Sequence, residues 1–370
     1  APLRPDAAHT GITGRNSETI PYYRRNNPLT RRQMAMSSTD PISQAPNAQK
    51  RRLRDRLVVI GLVVFVFAGL GVLAAATGWE ETRAQIAKLQ LWQILVLLAL
   101  SLTNYLLRGL RWHMFTEHLG LPLGYLATFR HFLGGFAMSV TPGRLGELVR
   151  MRWIGRETGW RFERTAPLVL VDRASDLAAL GLLLGISLAF SATGISFGLP
   201  VTLLALAAAI VATRPTLLRA VATWGHKATG RFARLFAKIR RAANALSVFS
   251  SPFVMSVAGL IGLVGWYAEG YAFHLLLAWM GADIGLAKAV AIFVFSGLAG
   301  GLTGAPGGVG GAEAAMVALL TLEGVPLEAS VPATLIIRVT TLWFAIGIGL
   351  LVFPVAERIS LRKKHALERN

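Results

Sequence analysis

Gly304-Ala305-Pro306-Gly307-Gly308-Val309-Gly310-Gly311-Ala312-Glu313 interrupts an otherwise apolar run in the second half of the chain. A related version stands upstream, as Thr141-Pro142-Gly143-Arg144-Leu145-Gly146-Glu147. A hydrophobic segment with one proline and one buried arginine follows each: Pro167 and Arg173 after the first, Pro332 and Arg338 after the second. The offsets agree. Pro142 to Pro306 is 164 residues, Glu147 to Glu313 is 166, and both Pro167 to Pro332 and Arg173 to Arg338 are 165. Gly/Pro-broken apolar segments in corresponding positions of two halves point to the binding site of a transporter built from repeats.

With 54% hydrophobic and 15% charged residues and a mean hydropathy of +0.52, the composition is that of an integral membrane protein. Residues 57–77, 91–110, 165–190, 198–213, 252–280 and 331–353 are apolar runs near the length of about 20 residues that crosses a bilayer. The 198–213 run is the shortest. Segments 127–149 and 287–322 are also apolar but broken at their centres by the repeated motif. The expected fold is therefore an all-α polytopic membrane protein, with about six full spans and two re-entrant helical hairpins in inverted-topology repeats. The chain has no cysteine, which excludes a disulfide, a thiol nucleophile or a Cys-ligated metal. His113, His118, His131 and His274 have no metal-ligand spacing with Asp or Glu. The GAPGGVGG run lacks the Lys-Ser/Thr and the strand context of a phosphate loop. Neither metal nor cofactor is expected.

The net charge of +19 is distributed by topology and not as a nucleic-acid footprint. Thirty-two of the 38 Lys and Arg fall in segments 1–56, 108–130, 150–164, 214–250 and 357–370. The intervening segments hold Glu80, Glu81, Asp283, Glu323 and Glu328 against Arg83, Lys88 and Lys288. This positive-inside asymmetry places both termini in the cytoplasm. Residues 1–50, polar and without apolar period, read as a disordered basic cytoplasmic tail with no secretory signal, and Met34 or Met36 as the translation start. The membrane domain covers 51–356, with repeat 1 at about 91–190 and repeat 2 at about 252–353. Segment 214–250 links them as a basic amphipathic helix on the inner leaflet, and 357–370 forms a second basic tail.

The same charges orient the broken segments. Arg108, Arg111 and Arg130 precede the first and Arg150, Arg152 and Arg156 follow it, so it enters and leaves from the cytoplasm. Asp283 precedes the second and Glu323 and Glu328 follow it, so it dips in from outside. The hairpin tips are Pro142, Gly143 and Gly146 in one, and Pro306, Gly307, Gly308 and Gly310 in the other. Pro142 and Pro306 should end the first half-helices. Each second half-helix would begin at a tip with free N–H groups suited to an anion.

Arg144, Glu147, Asp172, Arg173, Asp176, Glu269, Glu313 and Arg338 remain inside apolar segments. An unpaired charge at mid-bilayer costs about 2.5–3.5 kcal/mol or more, so they should face inward in pairs. The spacings suggest Glu147 with Arg173 and Glu313 with Arg338, and Asn104 aligns with Glu269 at the 165 offset. Arg144, Glu147, Arg173, Asp176, Glu269, Glu313 and Arg338 form the candidate substrate-binding set. A guanidinium fork suits a phosphate headgroup. The alternative is that these pairs only lock the hairpins to the spans.

Four stretches carry a family resemblance: Asn104-Tyr105-Leu106-Leu107-Arg108-Gly109-Leu110-Arg111-Trp112, Thr141–Glu147, Asp172-Arg173 with Asp176, and Gly304–Gly310 with Glu313 and Arg338. In these the chain resembles the lysylphosphatidylglycerol synthase transmembrane region, also called the flippase-like membrane family, over essentially the whole membrane part. In the bifunctional members a soluble cytoplasmic domain transfers an amino acid to phosphatidylglycerol and the membrane part moves the product to the outer leaflet. The chain ends at Asn370, soon after its last span, so the resemblance implies lipid translocation without synthesis. Polyprenyl, hopanoid or other lipids are open as cargo. Membrane lipids are the expected partner, with a separate lipid synthase and a second copy of the chain left open, and nucleic acid excluded. The rival readings are an intramembrane transferase, with Asp172, Asp176, Glu147 or Glu313 as general base, and a membrane subunit of a separate lipid synthase.

Overall fold

The computed structural model describes residues 83–84, 87, 89–139, 145–191, 198–229, 249 and 251–367, all within one compact unit, Val58–Asn370. The expected first span at 57–77, the N-terminal tail, and Arg231, Arg234 and the rest of 230–248 lie outside the described residues. Every described element is helical. In order they are α1 (Leu91–His118), α2 (Tyr125–Gly135), a 3-10 turn (Phe136–Met138), α3 (Leu145–Thr158), α4 (Phe162–Ala189), α5 (Gly198–Thr213), α6 (Pro215–Thr229), α7 (Pro252–Trp279), α8 (Leu286–Leu302), a second 3-10 turn (Pro306–Gly308), α9 (Gly311–Leu322), α10 (Leu327–Arg338), a π turn (Val339–Trp343) and α11 (Phe344–Leu367).

Among the described residues three helices are long and apolar enough to cross a membrane: α1, α7, and the continuous 41-residue helix Leu327–Leu367 that joins α10, the π turn and α11. Their apolarity is turned outward. On α1, Leu102, Leu106 and Leu110 are exposed at four-residue intervals while Ser101, Asn104, Tyr105, Arg108 and Arg111 are buried. On a helix, residues three and four apart share a face. A polar stripe inside and a leucine stripe outside is untenable in water and natural in lipid, where exposed apolar area costs nothing. The same holds for Phe253, Leu260 and Val264 on α7 and Leu350 and Leu351 on α11, all exposed.

The expected spans 165–190 and 198–213 fall on α4 and α5. α4 is as long as α1, at 28 residues, but carries Arg164, Asp172, Arg173 and Asp176. α5 has only 16 residues, and the chain bends by 101° between Leu199–Val211 and Pro215–Lys227. The range given for 91–110 is too short. Gln90 opens α1, its N–H donating to Gln93 Oε1 at 2.8 Å, and the helix runs on to His118. Arg108 and Arg111 therefore lie within α1, buried, and not in a cytoplasmic flank. In the C-terminal segment α11 continues to Leu367.

The order long helix, short helix, 3-10 turn, short helix, long helix occurs twice, from α1 to α4 and from α7 to α11. Pro167 and Pro332 each occupy the sixth residue of the closing long helix. α7 packs on α1, α4, α8 and α10, while α2 and α3 pack on α11. Two apolar cores result. One gathers Phe273, Leu276, Ile292, Val294, Leu320 and Ile337; the other gathers Trp112, Phe115, Phe132, Ile154, Leu168 and Val171. The charged groups lie where these helices meet.

Candidate functional site

The second break is built from glycines because its backbone turns left-handed. Gly304, Gly307, Gly308 and Gly310 have φ of 68°, 64°, 68° and 85°, a region closed to most side chains at about 1–2 kcal/mol each. α8 ends at Leu302, not at Pro306 as expected. Thr303 Oγ1 donates to the Gly300 carbonyl at 2.7 Å and accepts from the Ala305 N–H at 3.2 Å, so the side chain replaces helical bonds before the proline is reached. α9 then starts with Glu313 in its first turn, the carboxylate accepting from the Gly310 N–H at 2.6 Å. The N–H expected to face an anionic ligand is thus covered by the chain's own anion.

Arg338 closes this arrangement. Its Nε lies 2.6 Å from Glu313 Oε1, and Nη2 donates to the Gly307 carbonyl at 3.1 Å. The pairing follows from element length. α9 and α10 have 12 residues each, about 18 Å at 1.5 Å per residue, so the start of one and the end of the other meet across the hairpin. The break, its half-helix and the spanning helix are held by one guanidinium.

Around the first break, Pro142, Gly143 and Arg144 lie outside the described residues, and nothing is described of the Glu147 side chain, so the Glu147–Arg173 pairing falls outside them too. Gly146 is described and buried. A Cβ there would stand 2.3 Å from the Gly135 carbonyl oxygen, so only glycine lets α3 lie this close to the end of α2.

Beneath it four helices converge on two aspartates. Arg111 Nη2 reaches Asp172 Oδ1 at 2.7 Å and Asp176 Oδ1 at 2.6 Å. Arg108 reaches Asp176 Oδ2 at 2.7 Å. Arg173 reaches Asp172 at 2.9 Å and Asp176 at 3.3 Å, and Arg150 from α3 stands 3.9 Å from Asp172. Trp266 of α7 donates its indole N–H to Asp176 at 3.3 Å. The Arg150 guanidinium lies 4.5 Å from the Phe132 ring centre and 5.3 Å from that of Trp112, and Arg108 lies 5.0 Å from Trp266. Arginine tolerates such apolar faces because its weakly hydrated plane stacks on rings. Arg111 is wholly buried, yet its Nε and Nη1 have no hydrogen-bond acceptor, nor has Arg108 Nε.

Glu269 of α7 is also buried, but no Lys, Arg or His nitrogen among the described residues comes within ion-pair distance of it. The Asn104 side chain and the charges of Arg108, Arg338 and Asp176 act on its carboxyl. Asn104 is fully buried, and its amide engages no group but this carboxyl.

A further network fastens the outer ends of α2, α3 and α11. Glu157 accepts from Arg130 at 2.8 Å and Lys363 at 3.2 Å, and lies 2.9 Å from His131 Nε2. Burial alone would raise this carboxyl, but the bond to His131, with the charges of Arg130 and Lys363, holds it down at about 2. Glu357 of α11 accepts from Arg152 at 3.0 Å, Arg156 at 2.8 Å and the Trp153 indole at 2.7 Å.

Of the expected residues, Glu313 pairs with Arg338 and Arg173 joins Asp176, while Asn104 and Glu269 meet across α1 and α7. Arg108, Arg111 and Arg150 were missed. Their signal was available: Arg108 and Arg111 are three apart on α1 and Asp172 and Asp176 four apart on α4, which places each pair on one helix face. Among the described residues no group of three or more His, Asp or Glu could hold a metal ion.

Comparison with known proteins adds three findings. The family described as lysylphosphatidylglycerol synthase TM region matches residues 58–349. A UPF0104 membrane protein of Methanothermobacter thermautotrophicus is 25% identical over 323 residues, covering 80% of this chain and 94% of that protein. A further match under the same name and organism is 25% identical over 118 residues, 32% of this chain and 35% of the other.

Proposed function

Because the chain belongs to the lysylphosphatidylglycerol synthase TM region family of integral membrane proteins, we propose that it moves a lipid with a phosphate-containing polar headgroup between the leaflets of the cytoplasmic membrane. The observation that carries this reading is the buried arginine cluster: Arg108, Arg111, Arg150 and Arg173 gathered on Asp172 and Asp176. Each aspartate is reached by three arginines, so one guanidinium can turn to a phosphate while the aspartate it leaves keeps another. The headgroup would travel between the two breaks while its acyl chains stay in lipid.

In this reading the two repeats are inverted, the first break opening to the cytoplasm and the second to the outside, with both termini cytoplasmic. The charges that flank the breaks favour it: Arg150, Arg152 and Arg156 follow the first, and Glu323 and Glu328 follow the second. Transport is preferred over group transfer because Asp172 and Asp176 are each held by arginines, which suits a charged lock and weakens a general base.

The test is reconstitution of the full chain into phosphatidylcholine vesicles containing fluorescent headgroup-labelled phosphatidylglycerol. Dithionite, which stays outside, should bleach the inner-leaflet pool when wild-type protein is present and spare it in vesicles with Arg338→Ala. Equal protection with wild-type protein and without protein would overturn the reading.

A further inference from the structure

Glu269 is placed where an ion-pair lock would put an arginine opposite, yet among the described residues none comes within ion-pair distance of it. α7 packs on α1, α4, α8 and α10. From these, the groups that act on the Glu269 carboxyl are Asn104 and Arg108 of α1, Asp176 of α4 and Arg338 of α10, and it acts in turn on Tyr105 of α1. α8 offers only Lys288, which is engaged with Glu323. Both neighbouring arginines have closer carboxylates: Arg108 has Asp176 and Arg338 has Glu313.

The one uncommitted neighbour is the Asn104 amide. It is fully buried, and its side chain engages no group but the Glu269 carboxyl. It is lodged against α7 one turn before Glu269, where a Cβ on Gly265 would stand 2.6 Å from Asn104 Oδ1. An amide is suited to a group that changes protonation. Its NH2 donates to a carboxylate, and its carbonyl accepts from a carboxylic acid. A lysine or arginine in its place would fix the ionised form, and a leucine the neutral one.

We propose that Glu269 is a proton-carrying carboxyl, loaded and unloaded at membrane depth so that lipid movement is coupled to proton movement. In the unloaded state its negative charge competes with Asp176 and Glu313 for Arg108 and Arg338. Loading removes that charge, the acid O–H donates to Asn104 Oδ1, and the two arginines settle on their own partners. Tyr105, one residue from Asn104, donates to the carbonyl of Thr341 in the π turn that follows Arg338, so the α1 face and the second break are mechanically joined. The proton comes from water on one side and returns to water on the other, with no bond broken but O–H. Intramembrane carboxyls are the usual relays of this kind.

The inference rests on the transport reading, so two measurements separate them. Full-chain protein in lipid nanodiscs, compared at acidic and alkaline pH by infrared difference spectroscopy, should show a buried carboxylic-acid carbonyl band that Glu269→Gln removes and Glu269→Asp shifts. In vesicles with labelled phosphatidylglycerol, a pH gradient should change the wild-type flipping rate several-fold, and Glu269→Gln, a neutral isostere, should flip lipid at a gradient-independent rate. Gradient-independent flipping by the wild type, or a band that survives Glu269→Gln, would overturn the proposal while leaving transport intact. A titrating Glu269 with no lipid movement would overturn transport and the coupling with it.

Discussion

Arg111 is the residue on which the first half turns. It is fully buried and bridges Asp172 and Asp176. Removing one partner of a buried pair strands the other, at about 3–5 kcal/mol. Arg111→Ala should therefore lower the melting temperature in detergent sharply, and Arg111→Lys should recover part of the loss, since it keeps the charge but not the fork. Arg152, whose side chain is 47% exposed beside Glu357, is the control: Arg152→Ala should change stability by about 0.5 kcal/mol or less. Equal melting curves for wild type and Arg111→Ala would refute the bridge. Such residues are hard to find from sequence because an arginine at the end of a leucine run reads as an interfacial anchor. Glu313 and Arg338 were legible because a glycine-rich break fixes where the half-helix begins, and the count of residues out and back then forces the contact.

At the level of elements, the break in the second half is held by more than charge. Glu313 also accepts the Gly310 N–H, and Arg338 also donates to the Gly307 carbonyl. A swap, Glu313→Arg with Arg338→Glu, would restore the ion pair but neither backbone bond, each worth about 0.5–1.5 kcal/mol. The swapped protein should melt between the single variants and the wild type, and should not move lipid. Wild-type stability with wild-type flipping would show the break to be held by the ion pair alone. The expected end of the half-helix at Pro306 missed the mark for a local reason, since the Thr303 hydroxyl and the left-handed Gly304 stop the helix first. The α3–α11 fastening was likewise hidden, because a basic C-terminal stretch reads as a tail until the acidic residues it meets are known. It has a pH signature. The Glu157 carboxyl is held at about 2 against an ordinary 4.5, so its contribution is complete above 4.5 and is lost as pH falls through 2. Glu157→Gln should flatten the fall in melting temperature across that window, and an unchanged slope would mean that Glu157 does not bind these partners.

For the whole molecule, the decisive question is whether the two halves face opposite ways. The repeated element order and the outward leucine stripes place both halves in lipid, but a helical order is the same read upright or inverted. What distinguishes the orientations in the sequence is charge: Arg150, Arg152 and Arg156 follow the first break, whereas Glu323 and Glu328 follow the second. A bilayer with a basic-rich cytoplasmic side would then hold the ends of α3 and α9 on opposite faces. Leu327–Leu367, at 41 residues, spans about 60 Å, twice the hydrocarbon thickness of about 30 Å. Its last turns, with Glu357 and Lys363 bound to α3, must therefore stand clear of the core on the side where α3 ends. The chain has no cysteine, so single replacements report without background. Cysteine at Arg362, beside that fastening, and at Gly143 should react with a membrane-impermeant maleimide only from the cytoplasmic face. Cysteine at Gly307 and at Glu328, on the far end of the second hairpin, should react only from outside. Labelling of Gly143 and Gly307 from one and the same face would make the halves parallel, and the lipid path between two opposed breaks would lose its geometry.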